Sequence, residues 1–373
     1  MKEGILIKRE GERECLTALA AMPGTGPGTL RDLFEKCGTA ATIWYEGERD
    51  ERLPEKFRRA LVSWRTRYSF ERTKENLKKY EAVVLTWNDE SYPNLLRCTV
   101  NPPPVLYCCG RLLQTEKTVA LVGSRKADTY GLRAAHRLAR TLAEAGVTVI
   151  SGGARGIDTQ AHLGTLAGGG MTWVVTGAGL DKTYPPENAA LFRRIIGAGG
   201  VVCSEFPFGT SPSGRNFPAR NRVIAGLSQA VVVVEAALRS GSLITADFAL
   251  EEGRDVFAVP GSVYAPLCAG TNRLIKSGAV PLLSGKELLE TYGWQEEVKK
   301  RERKALPPLS QGAGRIYKLM QGDRSVSYEE LCAETALSPA CLASALTELE
   351  MAGLIDVSAQ QYFLKIRMEY LSC

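Results

Sequence analysis

Six short, nearly continuous apolar runs lie between residues 119 and 259: Val119–Val122, Val147–Ile150, Trp173–Val175, Val201–Cys203, Ala230–Val234 and Val256–Val259. A strand that is apolar on both faces must be covered on both. A parallel sheet flanked by helices provides that cover, whereas a half-solvated antiparallel sheet would alternate apolar and polar residues. Each run is followed by small residues and then by a helix-like stretch. Six such units fit a doubly wound, Rossmann-like α/β fold.

The remainder of the 373 residues divides by texture. Up to Trp64 the chain reads as short helices. Cys15–Met22 and Thr29–Cys37 flank the turn Pro23-Gly24-Thr25-Gly26-Pro27-Gly28, an arrangement like a helix-hairpin-helix. Such a turn can offer backbone N–H groups to phosphate, but Pro27 removes one of them, so a structural hairpin is preferred. The segment 65–294 carries the sheet, with Val83–Leu85 and Val105–Tyr107 as an extended lead-in. Residues 295–311 begin with a charged run, Gln295–Lys304, and reach Pro307-Pro308, as a linker does. Residues 312–373 read as three helices and two short strands. Ile316, Leu319 and Met320 mark the first helix, Leu331 the second, and Leu342, Leu346 and Leu349 the third. Leu354–Val357 and Gln361–Lys365 form a wing, which completes a winged helix-turn-helix.

The net charge of +6 permits a polyanionic partner without demanding one. Between Glu51 and Tyr80 ten Lys/Arg face four Glu, so this stretch alone matches the excess of the whole chain. The ten cysteines form no C-x-x-C and only His136 and His162 accompany them, so no metal site is expected. No apolar stretch reaches the roughly 18 residues of a membrane span, and a reducing cytoplasm suits the free thiols.

The end of the first run, Ala120-Leu121-Val122-Gly123-Ser124-Arg125, lacks the G-x-G-x-x-G of a nicotinamide site, and no acidic residue follows the second run. There is no G-x-x-x-x-G-K-[ST] either, so no nucleotide cofactor is expected. Three strand-end loops nevertheless suit phosphate: Gly123-Ser124-Arg125, Ser151-Gly152-Gly153 and Ser240-Gly241-Ser242. Each sets small residues before a helix N-terminus. The segment Arg215-Asn216-Phe217-Pro218-Ala219-Arg220-Asn221-Arg222 adds cations that can follow a backbone and a ring that can stack on a base. A salt-bridged, purely structural segment has the same composition. Asp158 and His162, four residues apart on one helix face, are read as a helix-start carboxylate and a packing histidine. Glu235 ends a buried strand and is expected to orient a neighbouring arginine, with a general base as the alternative.

In chain order, Leu121–Arg125, Ser151–Asp158, Ser204–Pro207, Phe217–Ser228, Ser240–Ala246, Phe257–Gly261 and Gly270–Ile275 resemble the bacterial DprA (Smf) family of DNA-processing proteins. The resemblance spans the middle segment nearly end to end, and both flanking domains suit the family's layout. It implies an extended Rossmann fold, a homodimer, single-stranded DNA binding, and delivery of that DNA to the RecA recombinase during natural transformation. It places the family's phosphate-contacting arginine at Arg125 and its base-stacking phenylalanine at Phe217. The basic contact that often precedes that phenylalanine falls nearest Arg215. The expected interface therefore comprises Gly123, Ser124, Arg125, Gly152, Gly153, Arg215, Phe217, Arg220, Asn221, Arg222, Ser240, Gly241 and Ser242, with no catalytic residue. Two other classes compete: a nucleotide hydrolase based on Glu235, and a transcription regulator acting through the winged helix. Against the second, residues 312–352 hold three Lys/Arg and six Asp/Glu, and Ser338–Glu350 holds no cation. Such a helix is poorly equipped to read a duplex and suits protein docking better.

Overall fold

The computed structural model describes residues 2–112, 116–294, 309–320, 326–358 and 361–364. The chain forms two compact units, Met1–Val298 and Lys299–Cys373. The first opens with five helices, α1 (Lys2–Ala20), α2 (Pro27–Cys37), α3 (Ala40–Glu46), α4 (Glu55–Arg65) and α5 (Phe70–Lys79). Pro27 sits in the first turn of α2, where a missing N–H costs nothing. Thr39 and Ser69 cap α3 and α5 through their hydroxyls. Leu16, Leu19, Leu30, Ile43 and Leu61 from these helices share one core with Val105 and Tyr107.

There follow β1 (Ala82–Thr86), α6 (Asn94–Arg97), β2 (Val105–Gly110) and β3 (Thr118–Val122). Next come α7 (Thr129–Glu144), β4 (Thr148–Ser151), α8 (Ile157–Ala167), β5 (Thr172–Val175), α9 (Ala189–Gly197) and β6 (Val201–Ser204). The unit ends with α10 (Asn216–Gly226), β7 (Ala230–Val233), α11 (Ser242–Glu251), β8 (Asp255–Ala258), α12 (Ala269–Lys276), β9 (Val280–Pro281) and α13 (Gly285–Thr291). The strands form one sheet in the order β1-β2-β6-β5-β4-β3-β7-β8-β9. From β6 through β9 neighbours run parallel, while β1 and β2 join antiparallel through pairs such as Val83↔Cys108 and Cys108↔Cys203. The six apolar runs are β3 to β8, and the lead-in segments are β1 and β2. β9, only two residues long, has no counterpart in the sequence reading.

Strands β3 to β8 are buried on both faces, apart from Asp255 at the start of β8. Ala120, Val122, Val231 and Val233 enter one core, and Val119, Leu121, Ala230 and Val232 the other. Full burial of such a Val or Leu is worth about 1.5–3 kcal/mol, which explains why both faces are apolar. Because β3 pairs with both β4 and β7, the direction of strand addition reverses there. The loops after β3 and β7 consequently leave on opposite sides of the sheet, the position where doubly wound folds hold ligands.

The second unit holds α14 (Gln311–Leu319), β10 (Val326–Ser327), α15 (Tyr328–Thr335), α16 (Pro339–Met351), β11 (Ile355–Ser358) and β12 (Gln361–Leu364), with sheet order β10-β12-β11. Ile316, Met320, Leu331, Leu342, Leu346 and Leu349, residues that mark the three helices in the sequence, form its core. Ser327 and Glu330 make a reciprocal capping box on α15. Among the described residues, no helix is long and apolar enough to cross a membrane.

Candidate nucleic-acid interface

The loop after β3 begins at Gly123, where a Cβ would lie 2.6 Å from Ile157 and 2.8 Å from the Glu235 carbonyl. Glycine is required so that the loops after β3 and β7 can close on each other and on α8. The Ser124 amide donates to the Glu235 carbonyl at 2.7 Å, and the Ile157 amide to the Ser124 carbonyl at 3.2 Å. With the loop held from behind, Arg125 projects outward and is exposed.

Its guanidinium lies 4.8 Å from the ring centroid of Phe217, a cation–π distance. Phe217 stands in the first turn of α10, followed by Pro218, which that turn accepts without losing a hydrogen bond. The ring also meets Tyr184, 5.6 Å away at an interplanar angle of 34°. Gly177, after β5, gives the ring room: a Cβ there would lie 2.9 Å from Phe217. Arg125, Gly152, Ala154, Arg155, Gly177, Tyr184, Pro185, Phe217 and Arg220 line one narrow cleft at the carboxyl ends of β3, β4 and β5.

Arg220 reaches this cleft from below and is 4% exposed. The sequence reading offers it to phosphate; the structure turns it inward. Its Nη1 donates to the carbonyls of Gly152 and Val175. Burial lowers its pKa to about 10, with Asp158 acting in the opposite direction. Asp158 is buried as well; its carboxylate accepts the Ala154 amide at 3.2 Å. Burial raises its pKa, and Arg220 opposes that rise. Gly152 serves this arrangement rather than a direct approach of phosphate, since a Cβ would sit 2.6 Å from the Arg220 guanidinium.

The other expected residues divide by helix geometry. Asn221 donates to the Gly241 carbonyl at 3.1 Å and so ties α10 to the start of α11. There the Ser240 and Ser242 hydroxyls bond each other at 2.8 Å. Arg222 faces away, to Glu205 and to the Asn101 carbonyl at 2.5 Å. Arg215 is exposed at the N-cap of α10. Gly153 faces Phe192 and Val174 rather than the cleft. Four expected residues thus meet at the cleft: Arg125, Gly152, Phe217 and Arg220. Tyr184 and Arg155 escaped the sequence reading. The signal for Tyr184 was an aromatic before paired prolines on a strand-end loop, and for Arg155 its place in the Gly-rich run after β4. Arg155 pairs with Glu187 at the cleft rim.

Asp158 and His162 do not share a ligand. His162 is buried, bonds Thr172 at 2.7 Å through Nδ1, and is pushed by burial to a pKa of about 3. Among the described residues no cluster suited to a metal ion exists. Glu235 is fully buried against the N-terminus of α7, with Oε2 3.4 Å from the Asp128 amide. Among the described residues no arginine pairs with it, contrary to the expectation. Burial, reinforced by Asp128, raises its pKa to about 7. A carboxyl raised on folding stabilises fully below its unfolded pKa and loses that contribution as pH climbs through the folded value. Glu235→Gln is therefore expected to gain on wild type in melting temperature as pH rises from about 4.5 to about 7. Parallel melting curves of the two proteins across that range would show that Glu235 does not titrate there.

Fold and cleft together define an extended Rossmann-like protein with a cation–aromatic cleft beside its switch point, accompanied by a winged helix. The model of the family described as DNA recombination-mediator protein A matches residues 83–293, and that of the DprA winged helix domain matches residues 300–360. The chain belongs to the DNA recombination-mediator protein A (DprA/Smf) family. Protein Smf of Synechocystis is 43% identical over 249 residues, which cover 65% of this chain and 59% of that protein. The chain thus spans less than two thirds of that relative's length. The crystal structure of DNA processing protein A from Streptococcus pneumoniae matches with a TM-score of 0.57 and 38% identity, covering 62% of this chain and 81% of that one. The Helicobacter pylori protein, whose structure concerns its single-stranded DNA binding mode, matches with a TM-score of 0.52 and 31% identity, covering 57% of this chain and 96% of that one.

Proposed function

We propose that this chain binds single-stranded DNA at the carboxyl edge of the sheet, without catalysis, and passes it to RecA during natural transformation. The observation that carries the reading is the Arg125–Phe217 pair, 4.8 Å apart at the switch point. One residue supplies a fixed cation for a phosphate and the other a face for a base, and neither selects a sequence. Its likeness to a Helicobacter pylori protein described by its single-stranded DNA binding mode supports the same reading. The RecA step rests on membership of a family described as recombination mediators. Lack of catalysis rests on the position of Glu235, which has no surface exposure and does not line the cleft.

The proposal includes a division into a helical domain (1–64), the DNA-binding domain (65–294), a linker (295–311) and a winged-helix domain (312–373) in a cytoplasmic homodimer. The homodimer is supported by β9, an edge strand of the sheet with exposed Val280 and Leu283 beside it. The winged helix is assigned to protein docking because α16 carries no Lys or Arg.

The test is equilibrium binding to a single strand and to duplex over a salt series, using the full chain and one ending at Glu297. Both proteins are expected to prefer the single strand, and truncation should weaken binding by less than about tenfold, 1.4 kcal/mol. Incubation with ATP or a nucleoside monophosphate should yield no product. Equal affinity for duplex would reject the single-strand reading. A larger loss on truncation would reject the docking role. Product formation abolished by Glu235→Gln would put a hydrolase in its place.

A further inference from the structure

A second recess, of about 320 Å³, lies between α2 and the segments on either side of α6. It is lined by Arg31, Phe34, Trp87, Asn88, Arg97 and Pro102. We propose that it is a second nucleotide subsite, taking a base and an adjoining phosphate of the same single strand held at Arg125 and Phe217. The inference rests on the single-strand reading above and extends it to the helical region.

The recess has the size of a small ligand site, enough for one nucleoside. Its aromatic wall is preformed: Phe34 and Trp87 meet edge to face at 5.7 Å. Its cations are held in place by backbone carbonyls. Arg31 donates to the Val100 carbonyl, and Arg97 to the carbonyls of Asp89 and Tyr92. The Arg97 guanidinium also lies 5.8 Å from the Tyr92 ring. Among the described residues no carboxylate lines the recess. Asp89, two residues from Trp87, is engaged by Arg13 at 2.6 Å and by the amide and hydroxyl of Thr86. Two anchored guanidinium groups beside two rings form an arrangement that recognises a phosphate and a base together. An acidic peptide would find the charges but would leave the rings without a planar partner.

The frame joins the two subsites. Arg222 of α10 bonds the carbonyl of Asn101, which precedes Pro102 in the wall. Phe217 stands five residues earlier on the same helix, about 7.5 Å along its axis. Those five residues also turn about 140° round the helix, so only a strand long enough to pass round α10 reaches both.

The experiment compares oligothymidylates of about 6 and about 20 nucleotides, the longer exceeding the roughly 4–16 that one groove commonly covers. Arg31→Glu reverses an exposed charge, and Arg31→Gln removes the charge but keeps a donor for the Val100 carbonyl. For the longer strand, Arg31→Glu is expected to weaken binding about tenfold and to lower the slope of log K against log salt by roughly 0.7. Arg31→Gln should move the same way by a smaller amount. The shorter strand, held at Arg125 and Phe217, should bind both variants as it binds wild type. Wild-type affinity and slope in both variants, with Arg125→Ala still impaired, would overturn the second subsite and leave the first standing. Failure of the unaltered chain to bind either strand would overturn both.

Discussion

Exchanging Arg220 for methionine is expected to cost about 1–3 kcal/mol of stability, because it removes the larger of the two cationic influences, Arg220 and Arg125, that oppose the burial-driven rise of the Asp158 carboxyl. The Gly152 and Val175 carbonyls lose their donor at the same time. The loss should depend on pH in a defined direction. Burial holds the Asp158 carboxyl above its ordinary range, and Arg220 restrains that rise. Without the arginine, the folded pKa climbs further while the unfolded one stays ordinary. Below the unfolded pKa both states are protonated and the deficit is smallest. As pH increases, the unfolded chain ionises freely and the folded one resists, so the deficit widens. Urea unfolding at about pH 4 and about pH 7 reads this directly. Adding Asp158→Asn to Arg220→Met should abolish the pH dependence and recover part of the stability. An equal deficit at both pH values would mean that Asp158 and Arg220 are not electrostatically coupled.

Phe217→Ala should weaken single-strand binding by about 1–3 kcal/mol, the range for one stacked base, by a similar factor at every salt concentration. Arg125→Ala should act differently. Losing one phosphate contact flattens the slope of log K against log salt by roughly 0.7, so the defect is greatest at low salt. Because the guanidinium rests 4.8 Å from the ring, the two substitutions are also expected not to add. The double variant should lose less than the two single losses combined. Both variants must melt as wild type does, since Phe217 also fills the space over Gly177. An unchanged salt slope in Arg125→Ala would remove Arg125 from the phosphate contact. Lowered stability with normal binding by folded Phe217→Ala would assign the ring to packing.

The sheet was legible because burial on both faces leaves an unbroken apolar signature, and the runs at Val119, Val147, Trp173, Val201, Ala230 and Val256 became β3 to β8. The extra strand β9 left no such trace: Val280 and Pro281 are both exposed. In the cleft, Arg125 and Phe217 were legible from residue type and position. The directions of Arg220, Asn221 and Arg222 were not, because residue composition alone does not fix which way each side chain leaves a helix. On α10 each successive residue turns about 100°, so three adjacent polar side chains serve three sites. Arg220 goes beneath the cleft, Asn221 to α11 and Arg222 to Glu205. Tyr184 was missed for a related reason: it reaches Phe217 across the sheet edge, and no local pattern in the chain records that contact.

The close fit of Gly152 against Arg220 restricts the order in which this region can change through descent. A side chain at 152 collides with the guanidinium, so position 220 has to shrink first. A shortened residue at 220 removes the main cation that supports Asp158, so the change is easiest once position 158 has lost its charge. The reverse order passes through poorly folded ancestors at each step. Lineages that keep Asp158 are thereby held to glycine at 152 and arginine at 220, whatever changes at the exposed Arg125 and Lys126 nearby. The exposed face of the cleft can change one residue at a time, while its hidden support changes as a set of three.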